Sequence, residues 1–134
     1  MANLLALLLC ERATFNTNEK LTLHGLFDGL RIPRLNGPSG GGPEKQTFYV
    51  FYKVVSEAPC TISLRIGKPS GEHIDGEWVD SVALWAVGGV TWQSIWALTT
   101  DLFEEPGLYT LELLWSDGTR AAPVGQTQLV VEYV

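Results

Sequence analysis

Residues 102–115 have the sequence LFEEPGLYTLELLW, in which a Pro-Gly turn leads into a strand with alternating apolar residues. Tyr109 follows Gly107 by two residues, as at the corner of a β-sandwich, where a buried tyrosine bonds its hydroxyl to the backbone upstream and locks the crossover between two sheets. Pro106 and Gly107 supply the turn. Beyond Tyr109 the apolar positions Leu111, Leu113 and Trp115 share one face, with the period of two that a half-buried strand requires. This stretch predicts a β-sandwich with a tyrosine corner.

The rest of the chain divides into short apolar segments separated by turn-forming residues. We predict eight strands, at residues 3–10, 21–32, 46–56, 61–66, 78–87, 91–102, 109–115 and 126–134. Phe15 falls in a turn, Gly25 or Gly29 marks a bulge in the second strand, and the third and fourth strands form a hairpin. The absence of a helical period and the regular turn signals indicate one antiparallel two-sheet sandwich over residues 1–134.

Residues 33–45 are rich in glycine and proline and are predicted to form a flexible loop. A glycine-rich loop can cradle phosphate. However, no Gly-Lys-Ser/Thr follows this one, and no helical pattern lies downstream to offer its N-terminus. Phosphate binding is therefore not predicted here.

The composition is that of a globular domain, with 46% hydrophobic and 18% charged residues and five tryptophans. The net charge of −6 argues against a nucleic-acid partner, because phosphates require a basic stripe. A chain of 134 residues can bury a core without disulfide or metal staples.

The N-terminal run ANLLALLLC resembles a signal peptide superficially, but it has no basic n-region and leucine precedes Cys10. A strand buried on both faces fits the run better, and it is too short to span a bilayer. We therefore expect a cytoplasmic protein without membrane contact, in which Cys10 and Cys60 stay reduced. The sequence leaves open whether the two cysteines form a disulfide.

Three groups of polar residues were weighed as sites of chemistry, and none has the spacing that its chemistry requires. His73, Asp75 and Glu77 would share one face of a strand and could hold a divalent metal, although a solvated loop is the simpler interpretation. The carboxylates that precede the corner, Asp101, Glu104 and Glu105, lack the spacing of a calcium loop. His24 with Cys10 has no third group to orient a base. We predict no catalytic residues, no metal and no cofactor.

Aromatic residues offer better functional candidates. Strands 3–10 and 46–56 are apolar on both faces, whereas a two-layer sandwich buries only one face of each sheet. Tyr49 and Phe51 are therefore candidate interface residues. The tryptophans of the central region are further candidates, for protein contact or for stacking on sugar rings; they are Trp78, Trp85, Trp92 and Trp96.

Three segments carry a resemblance to a known family: MANLLALLLCE at the start, KLTLHGLFD at residues 20–28, and FEEPGLY at residues 103–109. Together they resemble a family of small bacterial β-sandwich proteins that form a domain of unknown function. The resemblance implies a cytoplasmic immunoglobulin-like or C2-like sandwich and brings no activity with it. The glycine-rich insert and the tryptophan-rich middle depart most from the family pattern.

The sequence favours a non-enzymatic β-sandwich that works by protein–protein contact, either as a homo-oligomer or as an accessory subunit. The alternative is a module that binds carbohydrate or a small ligand through surface tryptophans. A surplus of apolar residues on the doubly apolar strands supports the first hypothesis.

Overall fold

The computed structural model describes residues 2–15, 20–32, 46–82 and 90–133. These residues form an all-β, sandwich-like structure of two sheets, as predicted, but with ten strands rather than eight. A short 3₁₀ turn covers Thr100–Leu102, where the sequence predicted the end of a strand. The strands are β1 (Asn3–Phe15), β2 (Leu21–Phe27), β3 (Gly29–Ile32), β4 (Thr47–Ser56), β5 (Cys60–Gly67), β6 (His73–Ile74), β7 (Val79–Val82), β8 (Val90–Thr99), β9 (Gly107–Ser116) and β10 (Ala121–Tyr133).

One sheet has four strands in the order β2-β1-β4-β8, and every neighbouring pair in it is antiparallel. The other sheet has the order β3-β10-β9-β5-β6, with β7 also paired to β5. Its pairs are antiparallel except β3 with β10, which is parallel. We call these the four-stranded and the six-stranded sheet.

The predicted second strand, residues 21–32, is two strands that lie in different sheets. β2 pairs with β1, the chain bends at Asp28, and β3 then joins the six-stranded sheet beside β10. The Asp28 carbonyl accepts a hydrogen bond from the Val130 amide at 3.0 Å, which fixes the crossing. The predicted bulge at Gly25 or Gly29 is absent from the β1–β2 ladder, whose register is unbroken.

The predicted hairpin of the third and fourth strands is wrong. β4 lies inside the four-stranded sheet between β1 and β8, whereas β5 lies inside the six-stranded sheet beside β9. The short turn between them crosses from one sheet to the other, and the Ser56 hydroxyl donates to the Ala58 carbonyl there at 2.8 Å. Both strands have partners on each side, which explains why both are so apolar.

Several boundaries also differ from the prediction. β1 extends five residues past Cys10, so Phe15 ends a strand instead of lying in a turn. The strand predicted from Trp78 begins one residue later, at Val79, and residues 83–87 of that prediction lie outside the described residues. β10 starts at Ala121. The predicted flexible loop 33–45 and Trp85 lie outside the described residues.

The predicted role of Tyr109 is confirmed. Its side chain is 1% exposed, and its hydroxyl donates to the Glu105 carbonyl at 2.7 Å. Its ring meets that of Phe103 edge-on, with centroids 4.9 Å apart. Gly107 has φ +135°, and a Cβ at this position would lie 2.7 Å from a carbon of Pro69. Glycine is therefore required at this turn.

Alternate residues of the central strands fill the space between the sheets. As predicted, the inward positions of β5 are Ile62, Leu64 and Ile66, while Thr61 and Arg65 are exposed. β4 and β9 contribute in the same way, and the buried residues form one apolar cluster. Its largest fully buried members include Tyr52, Tyr109, Phe103, Leu98, Leu111, Leu113 and Leu129.

Candidate functional site

The outer face of the four-stranded sheet, turned away from the core, is the main apolar surface that the register creates. Leu8 lies opposite Phe51, and Phe51 lies opposite Ile95, so three neighbouring strands present apolar side chains side by side. On the fourth strand Leu26 lies opposite Cys10. Leu8 is 38% exposed and Leu26 is 60% exposed. We call Leu8, Leu26, Phe51 and Ile95, with Cys10 and Tyr49 between them, the outer apolar face.

Two members of this face are buried without belonging to the core. Phe51 is 8% exposed and Cys10 is fully buried, yet neither belongs to the apolar cluster between the sheets. Burial raises the pKa of the Cys10 thiol above its ordinary value of 9.0. Both side chains are therefore shielded from water on the side of the four-stranded sheet that is turned away from the core.

The charges on this face are few and of one sign. Among the described residues, the outward positions of its four strands carry the cations Arg12 and Lys53 and the imidazole of His24, but no carboxylate. Lys53 lies opposite Ala6 at one end, and Arg12 lies opposite His24 at the other. This distribution contrasts with the chain as a whole, whose net charge is −6.

The outer face of the six-stranded sheet is different in character. Arg65 on β5 and Glu112 on β9 form an ion pair. Arg31 on β3 and Glu132 on β10 form another, with 3.7 Å between Arg31 Nε and Glu132 Oε2. Its exposed apolar residues are Val79 and the facing pair Leu108 and Val130. This face has the mixed polar surface expected of a face turned to water.

The predicted interface residues are distributed over both faces of the four-stranded sheet. Tyr49 and Phe51 lie on its outer face, as an interface requires. Trp92 and Trp96 share the inner face of β8. Trp92 is half-buried, and Trp96 is 8% exposed and stacks on Tyr52 with centroids 4.5 Å apart.

Trp78 is half-buried against the core. A sugar-stacking platform needs an exposed indole face. Trp96 is buried, Trp78 and Trp92 are half-buried, and Trp85 lies outside the described residues.

A polar network that the sequence did not reveal joins the two sheets. The Tyr52 hydroxyl donates to a carboxylate oxygen of Asp80 on β7, and it accepts a hydrogen bond from Trp92 Nε1 at 3.0 Å. Tyr52 is fully buried. Desolvation, and then the neighbouring Asp80, raise the pKa of Tyr52 far above its ordinary value of 10.0. Residues 52 and 80 have no shared motif, so only the fold could show that they meet.

The residues weighed for chemistry are dispersed. His73 belongs to the two-residue strand β6, and the exposed Asp75 and Glu77 follow it. In the described ranges no three His, Cys, Asp or Glu side chains approach closely enough to hold a metal ion. The Glu105 backbone serves the tyrosine corner. Cys10 and Cys60 are free thiols, one in each sheet.

Within the described part of the chain, no helix has the length and apolar character needed to cross a membrane. No family model matches the chain, and no curated protein matches it.

Proposed function

We propose that this protein acts by protein–protein contact rather than catalysis, and that a second copy of the chain packs on the outer apolar face. The observation that supports this most strongly is the placement of Leu8, Leu26, Phe51 and Ile95 side by side outside the core. Leu8 and Leu26 are exposed beside the more buried Phe51 and Ile95, and exposed apolar side chains grouped on one face of a protein typically mark an interaction site.

The size of the face suits such a contact. Four strands about 4.8 Å apart, each contributing about eight residues at about 3.3 Å, span a flat area of roughly 500 Å². Side-chain relief raises the accessible area above the flat value. A standard interface buries about 800 Å² per partner, so this face is of the right order for one side of a dimer.

The charges favour a second copy as the occupant. Two chains that each carry a net charge of −6 repel each other, and this repulsion is weakest when the surfaces in contact lack carboxylates. The outer apolar face is such a surface among the described residues, and its two cations, Arg12 and Lys53, lie toward its ends and not between the apolar side chains.

Matched charge substitutions on the two outer faces test the proposal. Leu8→Glu places a carboxylate in the proposed contact, and Leu108→Glu places one on the other sheet at a similar exposure of 46%. Both variants have the same net charge. Burial of two carboxylates per dimer should raise the dissociation constant of Leu8→Glu by about 100-fold or more, with little change for Leu108→Glu. Equal dissociation constants for the two variants would refute this contact.

The type of β-sandwich is also part of this proposal. The bond from the Tyr109 hydroxyl to the Glu105 backbone supports an immunoglobulin-like or C2-like sandwich, since such a corner is typical of immunoglobulin-type domains. Membership of the bacterial family that the sequence resembles, and a cytoplasmic location, remain expectations of this proposal.

A further inference from the structure

The edge strands of the two sheets differ in how well they are protected against pairing with another chain. In the six-stranded sheet, the parts of β3, β6 and β7 that the structure describes have four, two and four residues. In the four-stranded sheet, β2 contains Gly25, whose φ of +67° departs from extended backbone. Short strands and local irregularities are the devices by which natural proteins block edge-to-edge association.

β8 has none of these devices. It runs for ten residues, with the sequence VTWQSIWALT, and contains no charged residue, proline or glycine. Its register with β4 is unbroken from Thr47 opposite Thr99 to Ser56 opposite Val90. The ladders β1–β4 and β9–β10, by contrast, contain irregularities. Among the strands that the structure describes, β4 alone pairs with β8.

The backbone hydrogen bond just beyond the last β4–β8 pair shows to which side each β8 residue directs its N–H and C=O groups. The Thr100 amide donates to the Gln46 carbonyl at 2.9 Å. Because bonded positions alternate along an antiparallel strand, the even-numbered residues of β8 bond to β4. The odd-numbered residues, which are 91, 93, 95, 97 and 99, direct their N–H and C=O groups toward the side of β8 on which the structure describes no strand.

We infer that β8 is a strand-addition site, where the β8 strand of a second copy pairs antiparallel about a two-fold axis and joins two four-stranded sheets into one. An uncharged strand is complementary to itself, because no like charges come to lie opposite one another. The neutral strand is also a surface by which two chains of net charge −6 can approach. An isologous contact of this kind closes at two chains.

This contact goes beyond the proposed function because it uses a different surface. Edge pairing leaves the outer apolar face uncovered, so both contacts can form in one assembly. Two different isologous contacts on one chain close into a tetramer with three two-fold axes when their axes intersect at right angles.

Residue-resolved amide exchange, measured by NMR at high and low protein concentration, tests the strand addition with an internal control. In the dilute sample the odd-numbered β8 amides should exchange at least about tenfold faster than the even-numbered amides, which are bonded to β4, and at high concentration the odd-numbered amides should slow at least about tenfold. Odd-numbered amides that exchange at one rate at both concentrations, in a sample whose mass shows association, would overturn the inference.

Substitutions at the edge provide a second readout by light scattering. Gln93→Pro removes an outward donor and leaves the bonds to β4 in place, so it should weaken association at least about tenfold while the fold persists. Thr91→Lys should weaken association as well, and it serves as a second variant if Gln93→Pro folds poorly. Its matched control is Thr22→Lys, an exposed threonine on the other edge of the same sheet, which should not.

The outcomes separate the two proposals. Association that Leu8→Glu weakens and the β8 variants leave unchanged would refute the strand addition alone. The reverse pattern would refute the contact through the outer apolar face alone. A wild-type monomer at every concentration would refute both.

Discussion

The polar network between the sheets gives a prediction that the structure makes quantitative. Tyr52→Phe removes the one hydroxyl that donates to Asp80 and accepts from Trp92. The ring remains, and with it the stack on Trp96 at 4.5 Å. The substitution therefore isolates the hydrogen bonds that connect β4 and β8 to β7 in the other sheet.

The expected loss of stability follows from the Trp92 indole N–H and the Asp80 carboxylate, which both lose a hydrogen-bond partner in Tyr52→Phe. A polar group that loses its partner away from water costs about 1–3 kcal/mol, and both the indole N–H and the carboxylate lose one. Because Asp80 and Trp92 are half-buried, water partly replaces the hydroxyl, which places the total near 2–4 kcal/mol at pH 7. In a domain of this size that lowers Tm by roughly 10 °C.

The pH dependence of the free energy of unfolding reports the ionisation of the Tyr52 hydroxyl itself. Burial and Asp80 raise the pKa of folded Tyr52 above the ordinary value of 10.0, so above pH 10 the unfolded chain releases this proton while the folded chain keeps it. The stability that wild type gains below pH 10 is then lost as pH rises, by about 1.4 kcal/mol per pH unit. Tyr52→Phe lacks this loss, so the difference between the two proteins should narrow above pH 10.

Urea unfolding at pH 7, 9, 10 and 11 measures both effects, with Tyr49→Phe on the opposite face of β4 as the matched control. Cys10 and Tyr109 also have a raised pKa, but they are present in every variant and cancel in the comparison. A free energy of unfolding for Tyr52→Phe within about 0.5 kcal/mol of wild type at pH 7 would refute the network. A difference that stays constant from pH 9 to pH 11 would refute the raised pKa.

Two further predictions concern turns. Gly107→Ala should destabilise the fold by about 1–2 kcal/mol more than Gly118→Ala. Both glycines have positive φ, but only at Gly107 would the new methyl group lie 2.7 Å from a carbon of Pro69. Thermal unfolding of the two variants measures the difference, and equal losses of stability would count against the prediction. Hydrogen bonds from the Arg120 amide and from Thr119 hold the pKa of the Asp117 carboxyl well below its ordinary value of 3.8. The stability from this turn should therefore be complete above pH 3.8 and disappear as pH falls through the lower folded value, and an NMR titration of Asp117 with a midpoint at or above 3.8 would disprove it.

The sequence predicted well wherever a local pattern decided the structure. The Pro-Gly turn two residues before Tyr109 predicted the corner, and strict alternation predicted which residues of β5 are buried. The apolar character of both faces of β4 predicted that Phe51 lies on an apolar outer surface. Each of these inferences needed only neighbouring residues and the period of a strand.

The sequence failed wherever the choice of sheet decided the structure. A short turn between two apolar strands is compatible with a hairpin and with a crossover, so the step from β4 to β5 was assigned wrongly. The division of β2 from β3 at Asp28 depends on a bond from Val130, about a hundred residues away along the chain. Tyr52 with Asp80, and the open edge of β8, likewise exist only once strand order is known.

The central claim is that this chain works by contact with copies of itself, and its native mass tests that most directly. Light scattering across a dilution series at ordinary salt should show a mass well above the 14.7 kDa of one chain, falling toward that value on dilution. A mass that stays at 14.7 kDa at every concentration would contradict the account.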